Sequence, residues 1–290
     1  MRNPTLRAAV LSALILLLLL GVWHLATLQP ATVAASASAL TPEQIEYLKL
    51  QGKDPTAAGA QKPRSGFPSP AQVGATVAHH LADPFYDNGP NDKGIGVQLA
   101  HSLARVALGF LIACAVAIPA GFVLGMSPLF YRALYPYINV LKPISPLAWM
   151  PIALYTIQDS SISGVFVIFI CSVWPMLINT AFGVVNVRRE WLNVARTLEV
   201  GPLRKSLQVI LPAAAPTILT GMRISIGIAW LVIVAAEMLV GGTGIGYFIW
   251  NEWNNLSLAN VIFAILMIGV VGMALDWLFG RLQQAVGYAE

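Results

Sequence analysis

Charge is scarce in this chain. Only 10% of its 290 residues are Asp, Glu, Lys or Arg, against roughly 25% in an ordinary soluble domain. With 57% hydrophobic residues and a mean hydropathy of +0.70, the chain lacks the polar surface to face water on all sides and belongs in a bilayer. Cysteine is nearly absent too. Cys114 and Cys171 lie inside apolar runs, where thiols behave as small hydrophobes, so no disulfide framework or cysteine metal site is implied. Histidines 24, 79, 80 and 101 fall outside the central apolar runs, and the adjacent pair His79 and His80 does not share a helix face. No metal site and no catalytic constellation is therefore expected. A G-x-x-x-x-G-K-[ST] loop is missing, so ATP is not held by that route. The one glycine cluster, GGTGIG at 241–246, follows an apolar run rather than a strand and reads as a backbone bend near a gate. The net charge of +4 forms no basic stripe interleaved with aromatics, which excludes nucleic acid as the expected partner.

What the chain does have is long apolar runs. Six approach the roughly 20 residues needed to cross the hydrocarbon: about 8–29, 103–125, 134–156, 162–185, 221–240 and 259–280. Basic residues orient them. Arg2 and Arg7 precede the first, Arg132 separates the second from the third, Arg188, Arg189, Arg196, Arg204 and Lys205 lie between the fourth and fifth, and Arg281 follows the sixth. The connections near 157–163 and 241–258 carry no Lys or Arg. Both termini and the loop 187–220 are therefore expected in the cytoplasm. A signal peptide competes for the first run, since TVAASASAL offers a small-residue cleavage site. The run reaches from Ala8 to Leu28, long for such a segment, which favours an uncleaved helix.

The domain reading is an N-terminal span (1–29), a polar periplasmic insertion (30–98) and a five-helix core (99–290) with its cytoplasmic loop at 187–220. The insertion carries two helix signatures. TPEQIEYLKLQG has Thr41 as cap, Pro42 at the first position, Gln44 closing a capping box and Gly52 as the stop. SPAQVGATVAHHLADP repeats the logic with Ser69, Pro70 and the stripe Val73, Val77, Leu81. This segment is expected to contact a partner outside the membrane.

The loop between the fourth and fifth runs concentrates the charge of the second half. Residues 188–198 suit a short surface helix with Trp191, Leu192, Ala195 and Leu198 on an apolar side and Arg189 and Arg196 turned elsewhere. Gly201-Pro202 breaks it, and a second short helix, 203–210, is expected to end at Leu211-Pro212. The stretch NVARTLEVGPLRKSLQVILPAAAP resembles the E-A-A-x-x-x-G-x9-I-x-L-P signature of bacterial ABC importer permeases. Asn193 takes the Glu place, Val194 and Ala195 the Ala-Ala place, Glu199 the Gly place, Val209 the Ile place, and Leu211-Pro212 close the pattern. HSLARVALGF, LKPISPLAWMPIAL and GMRISIGIAWLVIVAAEMLVGGTGIG resemble the branch importing nitrate, nitrite, cyanate, taurine or alkanesulfonates, and DPFYDNGPNDKGIG and FVIFICSVWPMLINTAFGV resemble its nitrate type. The resemblance implies an all-α, six-helix type I importer-permease (MetI-like) fold in the bacterial inner membrane. It implies a homodimer of permease chains, two cytoplasmic ATPase subunits that hold the ATP and Mg, and a periplasmic anion-binding protein. The chain itself would be non-catalytic and hold no cofactor. Taurine, alkanesulfonate or cyanate remain alternative cargoes. A stand-alone channel or secondary transporter is the alternative class, although no internal repeat supports it.

An anion pathway calls for cations and hydrogen-bond donors inside the membrane. Lys142 lies near the middle of the third run, followed by Pro143, Pro146 and Pro151, whose interrupted helix ladder exposes backbone dipoles. Either it meets the passing anion, or it pairs structurally with an intramembrane acid such as Glu237. Glu237 would repel an anion and is expected to fix a helix or gate. Ser145, Trp149, Trp174, Asn179 and Trp230 are further donor candidates. Each has an alternative as a membrane-interface or interhelical residue.

Overall fold

The computed structural model describes residues 4–27, 67–89 and 92–286, and nearly all of them are helical. The proposed helix at Thr41–Gly52 lies outside the described residues. In chain order the helices are α1 (Pro4–Ala26), α2 (Pro70–Ala82), α3 (Ile95–Met126), α4 (Pro128–Leu141), α5 (Met150–Ile157), α6 (Ser160–Val185), α7 (Arg189–Thr197), α8 (Pro202–Lys205), α9 (Leu211–Val240), α10 (Ile245–Asn254) and α11 (Leu258–Val286). Five helical stretches are long and apolar enough to cross a membrane, or six if the bent pair at Pro128–Ile157 is one span.

One compact unit gathers α1, α2 and Glu252–Phe263. Here Trp23 donates its indole N–H to Pro68 O at 3.0 Å. The capping box at α2 forms as the sequence predicts: Ser69 N–H donates to Gln72 Oε1 (2.9 Å) and Gln72 N–H to Ser69 Oγ (3.4 Å). The buried face of α2 differs from the expected stripe. Val73 is buried, but the far end is His80, 9% exposed and stacked on Phe263, while Leu81 is exposed. His80 also meets Asn260 Oδ1 at 3.3 Å, and that specific polar partner outweighs the hydrophobicity of Leu81. None of the most apolar window of α1 is buried within the chain, so its leucine surface is free for lipid or a partner.

The other unit comprises Asp83–Asn251 and the rest of α11. Before α3, Gly94 N–H donates to Tyr86 O and Gly96 N–H to Pro84 O, both at 2.7 Å. A Cβ at Gly94 would run into the Pro84 carbonyl, so this approach requires glycine. Lys93 bridges to Asp87 at 3.2 Å. That contact and the Gly89 N–H hold the Asp87 carboxyl below its ordinary value.

Helix α6 lies between α3 and α9 and packs along both. The close approach has a clear sequence cause on α3, where Gly109, Ala113, Ala117, Gly121 and Gly125 recur every fourth residue and form one stripe of small side chains. A Cβ at Gly121 would sit 2.6 Å from Leu177 O, and one at Gly125 2.7 Å from Ala181 O. On the other side of α6, Gly221 packs on Asn179 and Met176, and Ser225 Oγ donates to Ser172 O at 2.8 Å. Without a hydrophobic force between helices in lipid, such close backbone contacts and interhelical hydrogen bonds supply the association.

Two expectations about helix ends change. The third apolar run is not one helix: the pair Pro128–Leu141 and Pro146–Ile157 is bent by 86°. Pro143 supplies no N–H, and Ser145, which precedes Pro146, takes ψ 129, the extended geometry that a following proline favours. Conversely, the helix expected to stop at Leu211-Pro212 carries on. Ser206–Ile210 forms a π turn in which Leu211 N–H donates to Ser206 O, five residues back. Widening the ladder there makes room for Pro212, and the helix runs continuously from Pro202 to Val240.

Candidate functional site

Two constellations stand at opposite ends of α9. At the Val240 end, Gln98, Ser102 and Arg105 occupy successive turns of α3 and reach the Gly241–Gly246 loop. Arg105 Nη1 donates to Glu237 Oε1 (2.8 Å) and to Thr243 O (2.7 Å), and its Nε donates to Ser161 Oγ (2.9 Å) in the first turn of α6. Ser102 Oγ lies 2.9 and 2.8 Å from the two Glu237 oxygens and accepts from Ile245 N–H at 2.9 Å. Gly246 N–H donates to Glu237 Oε2 at 3.1 Å, and Gly244 N–H to Gln98 Oε1 at 2.6 Å. The side chains of Arg105 and Glu237 are 14% and 4% exposed. Every backbone N–H that the turn from Gly244 to Gly246 turns inward thus meets a side-chain acceptor. The glycines serve this contact: a Cβ at Gly244 would overlap the Glu237 carboxylate, and one at Gly246 the Val234 carbonyl. The loop is therefore a latch bolted to α3 and α9. A small cavity borders it, lined by Arg105, Met150, Gly164, Ile233 and Glu237 among others.

Glu237 accordingly has Arg105 as its partner, which removes the ion pair with Lys142 that the sequence left open. Lys142 caps the C-terminal end of α4 at the bend, exposed, with no described carboxylate in ion-pair range. A cation there complements the helix dipole. Ser145 is exposed and Trp149 half-buried in the same bend. Trp174 and Asn179 are half-buried on α6, and Asn179 Nδ2 is engaged with Pro175 O at 2.8 Å. Trp230 is 4% exposed, and its indole donates to Ile268 O at 3.0 Å, so within the chain it ties α9 to α11. Lys142, Ser145 and Trp149 share the bend between α4 and α5, whereas Trp174, Asn179 and Trp230 are spread along α6 and α9.

At the other end, α7 has its apolar residues on two faces. Leu192 and Ala195 turn inward, with Leu192 packed on the cluster of Val184, Val187, Ile210, Ala214 and Ile218. Trp191, Val194 and Leu198 face outward, 44%, 59% and 70% exposed, so the expected single apolar side is divided. Arg188 stacks on the Trp191 ring at 5.5 Å, while Arg189, Asn193 and Arg196 are exposed. The helix ends in a paired turn: Val200 N–H donates to Ala195 O and Glu199 N–H to Arg196 O, both at 3.0 Å. This Schellman geometry puts its left-handed residue at Glu199, φ 50, where glycine is normally favoured. The Glu in the signature's Gly place thus adopts the backbone that a Gly there would serve. Gly201 then leads into Pro202, the first residue of α8, and Leu211 and Pro212 are half-buried inside the continuous helix.

Sequence reasoning missed Gln98, Ser102 and Arg105, although their i, i+4, i+7 spacing and a basic residue within an apolar helix were visible signals. It also passed over Arg223 and Asp276, which pair between α9 and α11. Among the described residues no cluster of His, Cys, Asp and Glu could hold a metal.

Comparison with known proteins agrees with this architecture. Residues 117–288 match the family described as binding-protein-dependent transport system inner membrane component. The nitrate import permease protein NrtB of Synechocystis sp. is 45% identical over 78% of this chain and 82% of its own length. NrtB of Synechococcus elongatus is 44% identical over 76% and 81%. The bicarbonate transport system permease protein CmpB of Synechocystis sp. is 43% identical over 71% and 74%. In structure, a chain of the inward-facing MetNI methionine ABC transporter superposes with a TM-score of 0.59 over 65% of this chain and 94% of that one, at 12% identity. A multi-pass helical core, a Schellman-capped surface helix in the importer signature and a family match over more than half of the sequence lead to one conclusion: the chain belongs to the inner-membrane permease components of binding-protein-dependent ABC transporters.

Proposed function

We propose that this chain is the permease subunit of an ATP-driven importer that moves nitrate, and nitrite with it, into the cytoplasm. The observation that carries the cargo is kinship with nitrate import permeases, 44–46% identical over about three quarters of the chain. Bicarbonate is the second reading, because bicarbonate permeases stand nearly as close at 43–44%. Both are small planar monovalent oxyanions, for which hydrogen-bond donors and little charge suffice.

In this reading the chain performs no chemistry. Two copies enclose one pathway in the bacterial inner membrane, with both termini and α7 in the cytoplasm. Two ATPase subunits bind ATP and Mg and receive the exposed ridge of Trp191, Val194 and Leu198. A periplasmic anion-binding protein delivers the cargo from the other side. Closure of the ATPases on ATP moves α7, and hydrolysis returns it; the difference in ATPase affinity for the two permease states drives the cycle. Lys142, exposed at the bend between α4 and α5, is the cation offered to the passing anion.

The test is ATP-dependent uptake into liposomes holding the permease, its ATPases and its binding protein, with wild type compared with Lys142→Ala. Nitrate uptake that needs ATP supports the importer, and its loss in the variant with ATPase activity retained supports the role of Lys142. Uptake of bicarbonate without nitrate replaces the first reading by the second. No uptake of either from an active assembly overturns both.

A further inference from the structure

The pair Arg223–Asp276 has no place in the latch or at α7. Arg223 is the only ionisable residue between Lys205 and Glu237, and Asp276 the only one between Glu252 and Arg281. Both stand on membrane-spanning helices, Arg223 as the third residue of the fifth apolar run (221–240) and Asp276 five residues before Arg281 near the end of the sixth (259–280), so the pair lies toward the α7 side of these spans. The guanidinium grips the carboxylate with two parallel hydrogen bonds, Nε to Oδ1 at 2.7 Å and Nη2 to Oδ2 at 2.6 Å. Their side chains are nevertheless 39% and 59% exposed. An ionised pair open to hydrocarbon is costly, so this face looks into water or against protein. Its surroundings favour water. Gln283 Nε2, two turns beyond Asp276, donates at 3.0 Å to Thr220 Oγ1, one turn before Arg223, extending a polar strip between α9 and α11. One turn of α9 the other way, Gly227 is exposed with open space where a side chain would stand.

The geometry points to Arg223 as an anion-binding residue of the translocation pathway, with Asp276 as the built-in anion that holds its guanidinium while the pathway is empty. The inference rests on the oxyanion-importer reading above and names a residue for it. A carboxylate, nitrate, nitrite and bicarbonate all present the same planar edge of two oxygens, so a fork that fits Asp276 fits the cargo. The arriving anion displaces Asp276 from one or both hydrogen bonds, and Asp276 displaces the anion in turn. Such exchange keeps the site from binding so tightly that it cannot release.

The test uses the complete reconstituted assembly. The double variant Arg223→Gln with Asp276→Asn keeps a neutral hydrogen-bonded pair and strands no charge. It is expected to assemble and hydrolyse ATP while uptake falls about tenfold or more. Asp276→Asn alone removes the competing charge and one of the two acceptors facing Arg223, so nitrate supplied on the ATPase side should inhibit uptake at about tenfold lower concentration than in wild type. Wild-type uptake by the double variant makes the pair a helix clamp and overturns the proposal, and so does unchanged inhibition in Asp276→Asn, which decides the matter if the double variant does not assemble. Failure of the wild type to import either nitrate or bicarbonate instead removes the reading beneath it.

Discussion

Replacing Arg105 with methionine probes the latch most sharply. The variant keeps an apolar stem of similar length but removes the Nη1 that serves both Glu237 and Thr243 O. The Glu237 side chain, 4% exposed, is left with Ser102 and Gly246 as its described donors. Removing one partner of a buried ion pair costs about 3–5 kcal/mol, because the remaining charge is neither solvated nor compensated. The two surviving hydrogen bonds put the expected loss at the lower end, about 3 kcal/mol. Adding Glu237→Gln removes the stranded charge and keeps an acceptor for the Gly246 N–H. The double variant should regain about 1–2 kcal/mol of that loss. Thermal unfolding of the permease in nanodiscs, with hydrogen exchange at the Gly244, Ile245 and Gly246 amides, reads both effects. A single variant within about 0.5 kcal/mol of wild type, or a double no more stable than the single, would refute a latch held by buried charge.

Glu199→Gly should stabilise the turn after α7 by about 0.5–1 kcal/mol, because glycine takes the left-handed backbone without a Cβ penalty; a lower unfolding midpoint would count against the Schellman assignment. Gly121→Leu drives a side chain into Leu177 O and Thr180 and should cost about 3 kcal/mol or prevent assembly, read by gel filtration after extraction. Trp230→Phe loses the hydrogen bond to Ile268 O and should cost about 1 kcal/mol in the same unfolding assay. Because Lys93 and the Gly89 N–H lower the Asp87 carboxyl in the folded state, their contribution is present above the ordinary carboxylate value and lost as pH falls through the lowered one. Exchange at the Gly94 amide should therefore quicken at strongly acid pH in wild type and show no such step in Asp87→Asn.

Hydrophobic runs made the spans legible, because bilayer thickness translates directly into sequence length. The capping box at Ser69 was legible because both partners lie within one turn. The signature loop was readable as far as Gly201-Pro202, but the helix through Pro212 was not. Proline reports what its own turn loses, whereas the widened turn at Ser206–Ile210 is a compensation by neighbours. The buried face of α2 was misread for a related reason, since His80 is inside by virtue of Phe263 and Asn260, about 180 residues away. The latch was invisible in the same way: Gln98, Ser102 and Arg105 look like a polar helix start until Glu237 and the Gly244–Gly246 amides arrive from elsewhere in the chain.

The latch also bears on which parts move. Helix α7 is joined to α6 through Asn186–Arg188 and to α9 through the continuous helix beginning at Pro202, so a displacement of α7 pulls both. Gly221 and the Ser225–Ser172 hydrogen bond lock α9 to α6, the small-residue stripe locks α3 to α6, and Arg105 binds α3, α6, α9 and the glycine loop together. Close backbone contacts of this kind resist sliding, because packed helices have no slack to deform gradually. Helices α3, α6 and α9 should then travel as one body, and the Gly241–Gly246 loop rides on that body rather than opening as a gate. A cross-link inside the body is the decisive probe. A Cβ at Gly183 would lie 3.0 Å from Thr217 Cβ, a separation that a shift of about 0.5 Å brings into disulfide range. With Cys114 and Cys171 replaced by Ala, oxidising Gly183→Cys, Thr217→Cys should leave ATP-driven uptake intact. Uptake that stops on oxidation and returns on reduction would mean that α6 and α9 must part during transport, and the rigid-body account would fall.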